Sequence, residues 1–395
     1  MGTVSTFITE NEFGHGEVRS WASLLDENCR SQAERISRVP IMEGYLALMP
    51  DAHHGFGPPV GSALKTRDAV MPYAVGVDIG CGMIAVKTDV QRDALRGLEG
   101  RILGKIRQYV PSGVGTNHER PTEHAEAFMA EHGPPPGAHL ARKGPQSLTA
   151  TAAVQFGTLG SGNHFVEFCA DGQETVWIVL HSGSRGVGNQ LATAHVQLAQ
   201  ERIRQPVESK EFAFFERDTP EFDAYIADML YCQDYAFAQR EAMMVAAQRA
   251  LEEVYGSFEH EPAINCHHNY AEEMEPGLWL TRKGAIDASE GKPGIIPGSM
   301  GAATYIVRGL GNAESYHTSP HGAGRMLGRN VARKSLDIEE FRKQMAGRTW
   351  LDRDAKALLD EAPNAYKPIE VVMADSADLV EPVTVLSQFI NYKGV

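Results

Sequence analysis

The chain has 395 residues, 43% of them hydrophobic and 22% charged, an ordinary balance for a globular protein with a sizeable core. A formal net charge of −14 excludes the broad basic field of a nonspecific nucleic-acid binder, though not a local basic site. Five scattered cysteines (Cys29, Cys81, Cys169, Cys232, Cys266) argue for a reducing, cytoplasmic setting rather than a disulfide framework, and no apolar run is long enough for a membrane span.

The opening segment has no basic region followed by an apolar one, so no secretion signal is expected. Through about Arg38 it reads as a strand or loop followed by a polar helix. Tyr45–Met49 is a short apolar strand ending at Pro50-Asp51-Ala52-His53-His54-Gly55-Phe56-Gly57, a turn-rich loop of the kind that often carries function. Val77-Asp78-Ile79-Gly80-Cys81-Gly82-Met83 then leads into another apolar run. Arg92–Tyr109 has helical periodicity, Pro111–Gly115 breaks it, and 118–150 reads as loop with one short helix. Gly160-Ser161-Gly162-Asn163-His164 opens a strand, and Thr175–Leu180 delivers His181-Ser182-Gly183-Ser184-Arg185-Gly186 to a helix stopped by Pro206. The longest helical pattern, 222–255, carries an apolar stripe that reads as core packing. Ile264–Tyr270 is strand-like, Trp279–Ile286 a hairpin arm, and Thr304–Val307 a strand. His321-Gly322-Ala323-Gly324-Arg325 then precedes a basic helix start. Strands and helices mix without a βαβ rhythm. The expected fold is therefore α+β, a single large domain over 1–395 with sheets around a central site and peripheral helices.

Asp78/Cys81, Asn163/His164, His181, His267/His268/Asn269 and His321 share one pattern, a strand end or glycine turn bearing a potential ligand. Any one of them alone reads more readily as structural; Asp78 and Cys81 alone read as a turn-forming aspartate beside an inert core thiol. Together they suggest a transition-metal site, because thiolate and imidazole prefer such ions to Mg(II). HExxH and paired CxxC signatures are absent, as are Walker A and GxGxxG. The glycine loops at 181–186, 297–301 and 321–325 could present backbone N–H groups to phosphate.

In order, Asp78-Ile-Gly-Cys81-Gly, Gly160-Ser-Gly-Asn-His164-Phe-Val-Glu167, His181-Ser-Gly-Ser-Arg185, Cys266-His-His268-Asn269, Pro297-Gly-Ser-Met300-Gly and His321-Gly-Ala-Gly324-Arg resemble the RtcB-type RNA-splicing ligases over nearly the whole chain. The resemblance implies joining of RNA 2′,3′-cyclic phosphate or 3′-phosphate ends to 5′-hydroxyl ends, using GTP and two Mn(II) ions. It implies Asp78, Cys81, His164, His181 and His268 as metal ligands, with Cys81 bridging, and His321 as the nucleophile that accepts GMP. Asn163, Glu167, Asn269, Pro297, Gly298, Ser299, Met300, Thr304, Gly322, Ala323, Gly324, Tyr366 and Lys393 match nucleotide-contacting positions. Arg185 and Arg325 would bind RNA or phosphate, in a short basic track with Arg282, Lys283 and Arg329. Asp51 and His53 are candidates for positioning the 5′-hydroxyl, or simply for shaping their loop. Ser319-Pro320 before His321, Thr304 in place of serine and Val395 after the terminal Lys-Gly depart from the pattern. The alternatives are a metal-dependent phosphohydrolase acting on RNA ends and a non-catalytic RNA- or translation-factor-binding module. An activating protein partner is compatible with the resemblance.

Overall fold

A computed structural model describes residues 4–394 of the chain; Val395 lies outside the described residues. The architecture is α+β. A six-stranded sheet runs in the order Ser5–Asn11, Gly14–Ser20, Leu46–His53, Val60–Arg67, Leu278–Lys283, Asn269–Glu275, antiparallel except where Gly14–Ser20 meets Leu46–His53. A seven-stranded antiparallel sheet runs Ile264–His267, Gly82–Gln91, Thr175–Ser182, Phe165–Ala170, Val380–Lys393, Thr304–Gly309, Pro293–Pro297. The two edge strands of this second sheet touch, so it curls towards closure, with Ile264 and Cys266 packing against the cluster that holds Ile295.

Both faces of the seven-stranded sheet are covered, and its strands alternate accordingly. Ile84 and Val86 face one way and pack with Ile178, Leu180 and Phe168 beneath helices Glu99–Tyr109 and Pro220–Tyr255, which contribute Ile102, Ile106, Met243 and Ala247. Met83 and Ala85 face the other way and pack with Val179, Trp177, Ile306 and Leu386. Another core joins the long helix to helices Glu123–His132, Pro145–Gln155 and Arg185–Arg202 through Phe128, Phe156, Leu148, Val187 and Tyr235.

Several boundaries differ from the sequence expectation. The strand beginning at Leu46 does not stop at Pro50 but continues to His53. Its pairing with Val60–Arg67 shifts register between Leu48 and His53, so the missing N–H of Pro50 falls in an irregular stretch. The Arg92–Tyr109 pattern divides into a 3-10 turn, Arg92–Leu95, and a helix from Glu99, with Gly97 at φ +81° between them. Residues 118–150 hold two helices rather than one; Glu123–His132 is capped by the Thr122 hydroxyl and Pro145–Gln155 starts with proline in its first turn. Trp279–Ile286 is two strands broken at Gly284.

One buried polar link joins this helical layer to the loop before Pro145. Asp228 Oδ2 lies 2.6 Å from His195 Nε2 and Oδ1 accepts from the Gly137 N–H at 2.5 Å, with both side chains fully buried. Removing one member leaves the others desolvated and unpaired. Asp228→Ala is therefore expected to lower unfolding stability by about 3 kcal/mol in denaturant titrations; a change below about 1 kcal/mol would contradict this role.

Candidate active site

Strand register brings the predicted ligands together. Gly82 pairs with Ser182 on one side and His267 on the other, and His181 is opposite both Met83 and Phe165. Four adjacent strands thus place Asp78 and Cys81, His164, His181 and His268 at one end of one sheet. The approach to this end is tight: a Cβ at Gly183 would overlap the Asp78 carboxylate. The Val77–Cys81 turn is fixed by Cys81 N–H donating to the Asp78 carbonyl (3.1 Å) and Gly80 N–H to the Asn269 carbonyl (2.7 Å).

Cys81 Sγ is 3.2 Å from His181 Nε2 and 3.5 Å from His164 Nε2; His164 Nε2 is 3.1 Å from Asp78 Oδ2, and His181 Nε2 is 3.3 Å from His268 Nε2. Cys81, His164 and His181 are buried, with potential ligand atoms within 4.8 Å of one another. The far nitrogens of two rings are anchored: His164 Nδ1 is 3.0 Å from the Leu159 carbonyl and His181 Nδ1 is 3.2 Å from that of Asn163. An Nδ1–H given to a carbonyl leaves the Nε2 lone pair facing inward, as in metal-binding histidines. Burial, reinforced by neighbouring imidazoles, holds His181 and His268 well below the ordinary histidine range, so both are neutral acceptors. Burial and the nearby Asp78 charge push the Cys81 thiol well up. A cation is what such a thiol needs to ionise, and the mixed S, N, O set fits a transition ion. Asp78 resists the upward push of burial because His164 and Arg185 hold its carboxyl below the usual value.

His321 approaches from elsewhere. It follows the short strand Thr318–Pro320, which pairs with Ala285–Asp287. Its Nδ1 is 2.6 Å from Oδ2 of fully buried Asp51, and its backbone N–H donates to the same oxygen at 3.2 Å. The Asp51 carbonyl is 3.0 Å from His53 Nδ1. The His321 ring centroid lies 4.7 Å from that of His268, beside the metal-ligand cluster.

A cavity of about 370 Å³ opens onto these groups. Asp78, Cys81, His181, His268 and His321 line it, with Asn163, Glu167, Asn269, Pro297, Gly298, Ser299, Met300, Gly322, Ala323, Gly324, Arg325, Tyr366 and Lys393. Its volume suits a small-molecule ligand. His164 and Arg185 line a second cleft beyond Asp78 and Asn163, so the ligand cluster forms the wall between two openings. Thr304 lines neither; it is fully buried in its strand, and its hydroxyl has no partner among the described residues. The Asn269 amide is committed to the scaffold, donating to the Asp78 carbonyl (3.3 Å) and accepting from Gly284 N–H (2.8 Å).

Glu167 is the buried acid of this cavity. Asn391 donates to Oε1 at 2.5 Å, while Oε2 has no partner among the described residues. Burial pushes this carboxyl up to about 8 against the pull of Lys393 and Arg348. Lys393 reaches Glu361 Oε2 at 2.6 Å, and Glu361 also binds Arg325, Arg329 (2.9 Å) and the Tyr366 hydroxyl (2.8 Å). Burial opposes ionisation of Glu361, but Lys393, Arg325 and Arg329 outweigh it and hold the carboxyl at about 2.

The expected basic track is not continuous. Arg282 is 2% exposed and engaged with Thr318, Tyr270 and Glu272. Lys283 is buried and donates to the carbonyls of Phe56, Pro58 and Tyr73. Arg325 and Arg329 are tied to Asp360 and Glu361, whereas among the described residues Arg185 makes one side-chain hydrogen bond, to Thr158 Oγ1 at 3.3 Å. Sequence reading missed Glu361 and also Arg240 and Gln239 on the long helix. Arg240 is fully buried and donates to the Gly80 (2.8 Å) and Ser182 (3.2 Å) carbonyls; Gln239 donates to Ser182 Oγ (2.7 Å) and the Gly183 carbonyl (2.8 Å). The polar run Gln239-Arg240-Glu241 inside an apolar helical pattern was the available signal.

A family model described as "tRNA-splicing ligase RtcB" matches residues 32–394. The chain is 38% identical to an Escherichia coli K12 protein named RNA-splicing ligase RtcB, covering 95% of this chain and 97% of that protein. It is 29% identical to the tRNA-splicing ligase RtcB of Pyrobaculum aerophilum, over 90% of each chain. It is 28% identical to the Mycobacterium tuberculosis RNA-splicing ligase RtcB, over 87% of this chain and 95% of the relative.

Cys81→Ala is expected to purify folded, because a small buried side chain is shortened by one atom, yet with transition-metal content reduced to near zero by elemental analysis. Wild-type metal content in that variant would remove Cys81 from the ligand set.

Proposed function

The chain belongs to the RtcB family of tRNA-splicing ligases, and we propose that it joins RNA ends carrying a 2′,3′-cyclic phosphate or 3′-phosphate to 5′-hydroxyl ends, in tRNA splicing or RNA repair, with GTP as energy source and Mn(II) in its metal site. The observation that carries this reading is His321, held on Asp51 beside the Cys81–His181–His268 donors in one cavity. Asp78, Cys81, His164, His181 and His268 would hold two Mn(II) ions. The metal would supply charge neutralisation for the phosphates.

The Asp51 carboxylate, which accepts the His321 backbone N–H and lies 2.6 Å from its Nδ1, positions the ring for Nε2 to attack the α-phosphorus of GTP. Pyrophosphate departs and a His321–GMP phosphoramidate forms. A cyclic end first adds water, which breaks its P–O2′ bond and leaves a 2′-hydroxyl and a 3′-phosphate; GMP then passes to the RNA 3′-phosphate, and attack by the 5′-hydroxyl joins the ends and releases GMP. The unpaired Oε2 of Glu167 suits the N1–H and amino group of guanine, donors that adenine does not present in that arrangement. Tyr366, Lys393, Asn163, Asn269 and the 297–300 and 322–324 backbones would complete the nucleotide pocket, with Thr304 beneath it. Arg185, at the second cleft, is the cation best placed to meet an RNA phosphate, and Arg325 could do so after leaving Glu361. A cytoplasmic location fits the reading, since Cys81 must stay a free thiol.

With Mn(II) and GTP, the protein is expected to join 3′-phosphate and 5′-hydroxyl RNAs, but not to use a 5′-phosphate acceptor. His321→Ala should reduce joining by more than about a hundredfold. Removal of the 3′-phosphate without joining, equal in both proteins, would mark a phosphohydrolase instead.

Glu167 adds a pH dependence. Its carboxyl near 8 is mostly protonated at pH 7, and guanine recognition requires the carboxylate, so protonation competes with binding. GTP affinity is expected to strengthen several-fold from pH 7 to 8.5 by calorimetry, with Glu167→Gln flat over the same range. An identical slope in both proteins would exclude this role.

A further inference from the structure

We propose that the loop His53–Val60 is the subsite for the RNA nucleotide bearing the 5′-hydroxyl: the Phe56 ring stacks on its base, and His53 Nε2 accepts a hydrogen bond from the hydroxyl. This rests on the ligase reading above.

The loop is held rigidly. Gln32 donates to the carbonyls of Gly55 and Gly57 (2.6 Å to the latter) and accepts from Gly55 N–H at 3.2 Å. Glu211 accepts from Gly57 N–H at 2.9 Å. Lys283, buried below, donates to Phe56 and Pro58 carbonyls and ties both to the Tyr73 carbonyl. With its backbone so fixed, the Phe56 side chain is nevertheless 72% exposed at the mouth of the cavity, its ring nearly parallel to that of Tyr73 with centroids 6.4 Å apart. A rigidly presented aromatic face is what a nucleobase stacks on, and stacking tolerates any base.

His53 supplies the polar half. Asp51 orients two imidazoles: His321 through its carboxylate and His53 through its carbonyl. An Nδ1–H of His53 given to that carbonyl leaves Nε2 as an acceptor, and the ring lines the cavity that His321 lines. Burial pushes His53 down to about 4, so the ring is neutral at physiological pH. Residues 53–60 contain no Lys or Arg, and the ammonium group of Lys283 is committed to carbonyls. A neutral acceptor without a free cation suits a hydroxyl terminus rather than a phosphate.

The test uses the full chain and a short fluorescent RNA with a 5′-hydroxyl and no 3′-phosphate, titrated by anisotropy without GTP, so it does not depend on guanylation. Phe56→Ala should weaken binding about tenfold and Phe56→Trp should restore it. An abasic first nucleotide should weaken wild-type binding equally and leave Phe56→Ala unaffected. Wild type should prefer the 5′-hydroxyl over a 5′-methoxy RNA, and His53→Ala should lose that preference. Unchanged affinity in Phe56→Ala, or equal further loss on the abasic RNA, would overturn the proposal. So would loss of GTP-dependent labelling in Phe56→Ala, which would assign the ring to the nucleotide pocket; failure of wild type to label would count against the ligase reading alone.

Discussion

The backbone pairing of Gly82 with both Ser182 and His267, and of His181 with both Met83 and Phe165, sets everything else in the site. A strand slipped by one residue reverses its side chains, so His181 would turn away from Cys81 and the donor cluster would be lost. The register is secured by burial on both faces of the sheet, by Arg240 holding the Gly80 and Ser182 carbonyls, and by Gln239 holding Gly183. Neutral imidazoles, a costly buried thiol and a low carboxylate then stand together, an arrangement that a transition ion would stabilise.

Around that cluster the chemistry is divided by anchoring. Asp51 fixes His321 and His53, Glu361 gathers Lys393, Arg325, Arg329 and Tyr366, and Glu167 keeps one oxygen unpaired. An unpaired buried acceptor costs about 1–3 kcal/mol, which a ligand donor recovers on binding. Glu361 keeps its cations ordered in the meantime. The negative net charge is compatible with this arrangement because Asp78, Asp51 and Glu361 at the cavity are themselves paired with cations or imidazoles.

The local parts of the site were legible in the sequence because each metal-site histidine sits at or beside a strand end or glycine turn, a pattern visible within ten residues. Cys81, His164, His181 and His268 were found in that way, and the ordered motifs joined them. Asp51 with His321 was not legible as a pair, since 270 residues separate them and they meet only where strands of two different sheets pack together. Pro50 read as a strand end, although a register shift accommodates it. The 222–255 helix read as pure core because its apolar stripe is real, yet Arg240 and Gln239 reach from it to the site. Arg282 and Lys283 looked like RNA-facing cations because charge in a sequence says nothing of burial; their partners lie on distant strands and loops.

The central claim is that His321 is the group that becomes bonded to GMP. Incubation of the protein with Mn(II) and GTP labelled at the α-phosphate, followed by acid or base treatment and peptide mapping, tests it directly. One acid-labile, base-stable label on His321, absent from His321→Ala, is the predicted result. No label on wild type, or equal labelling of the variant, would contradict it.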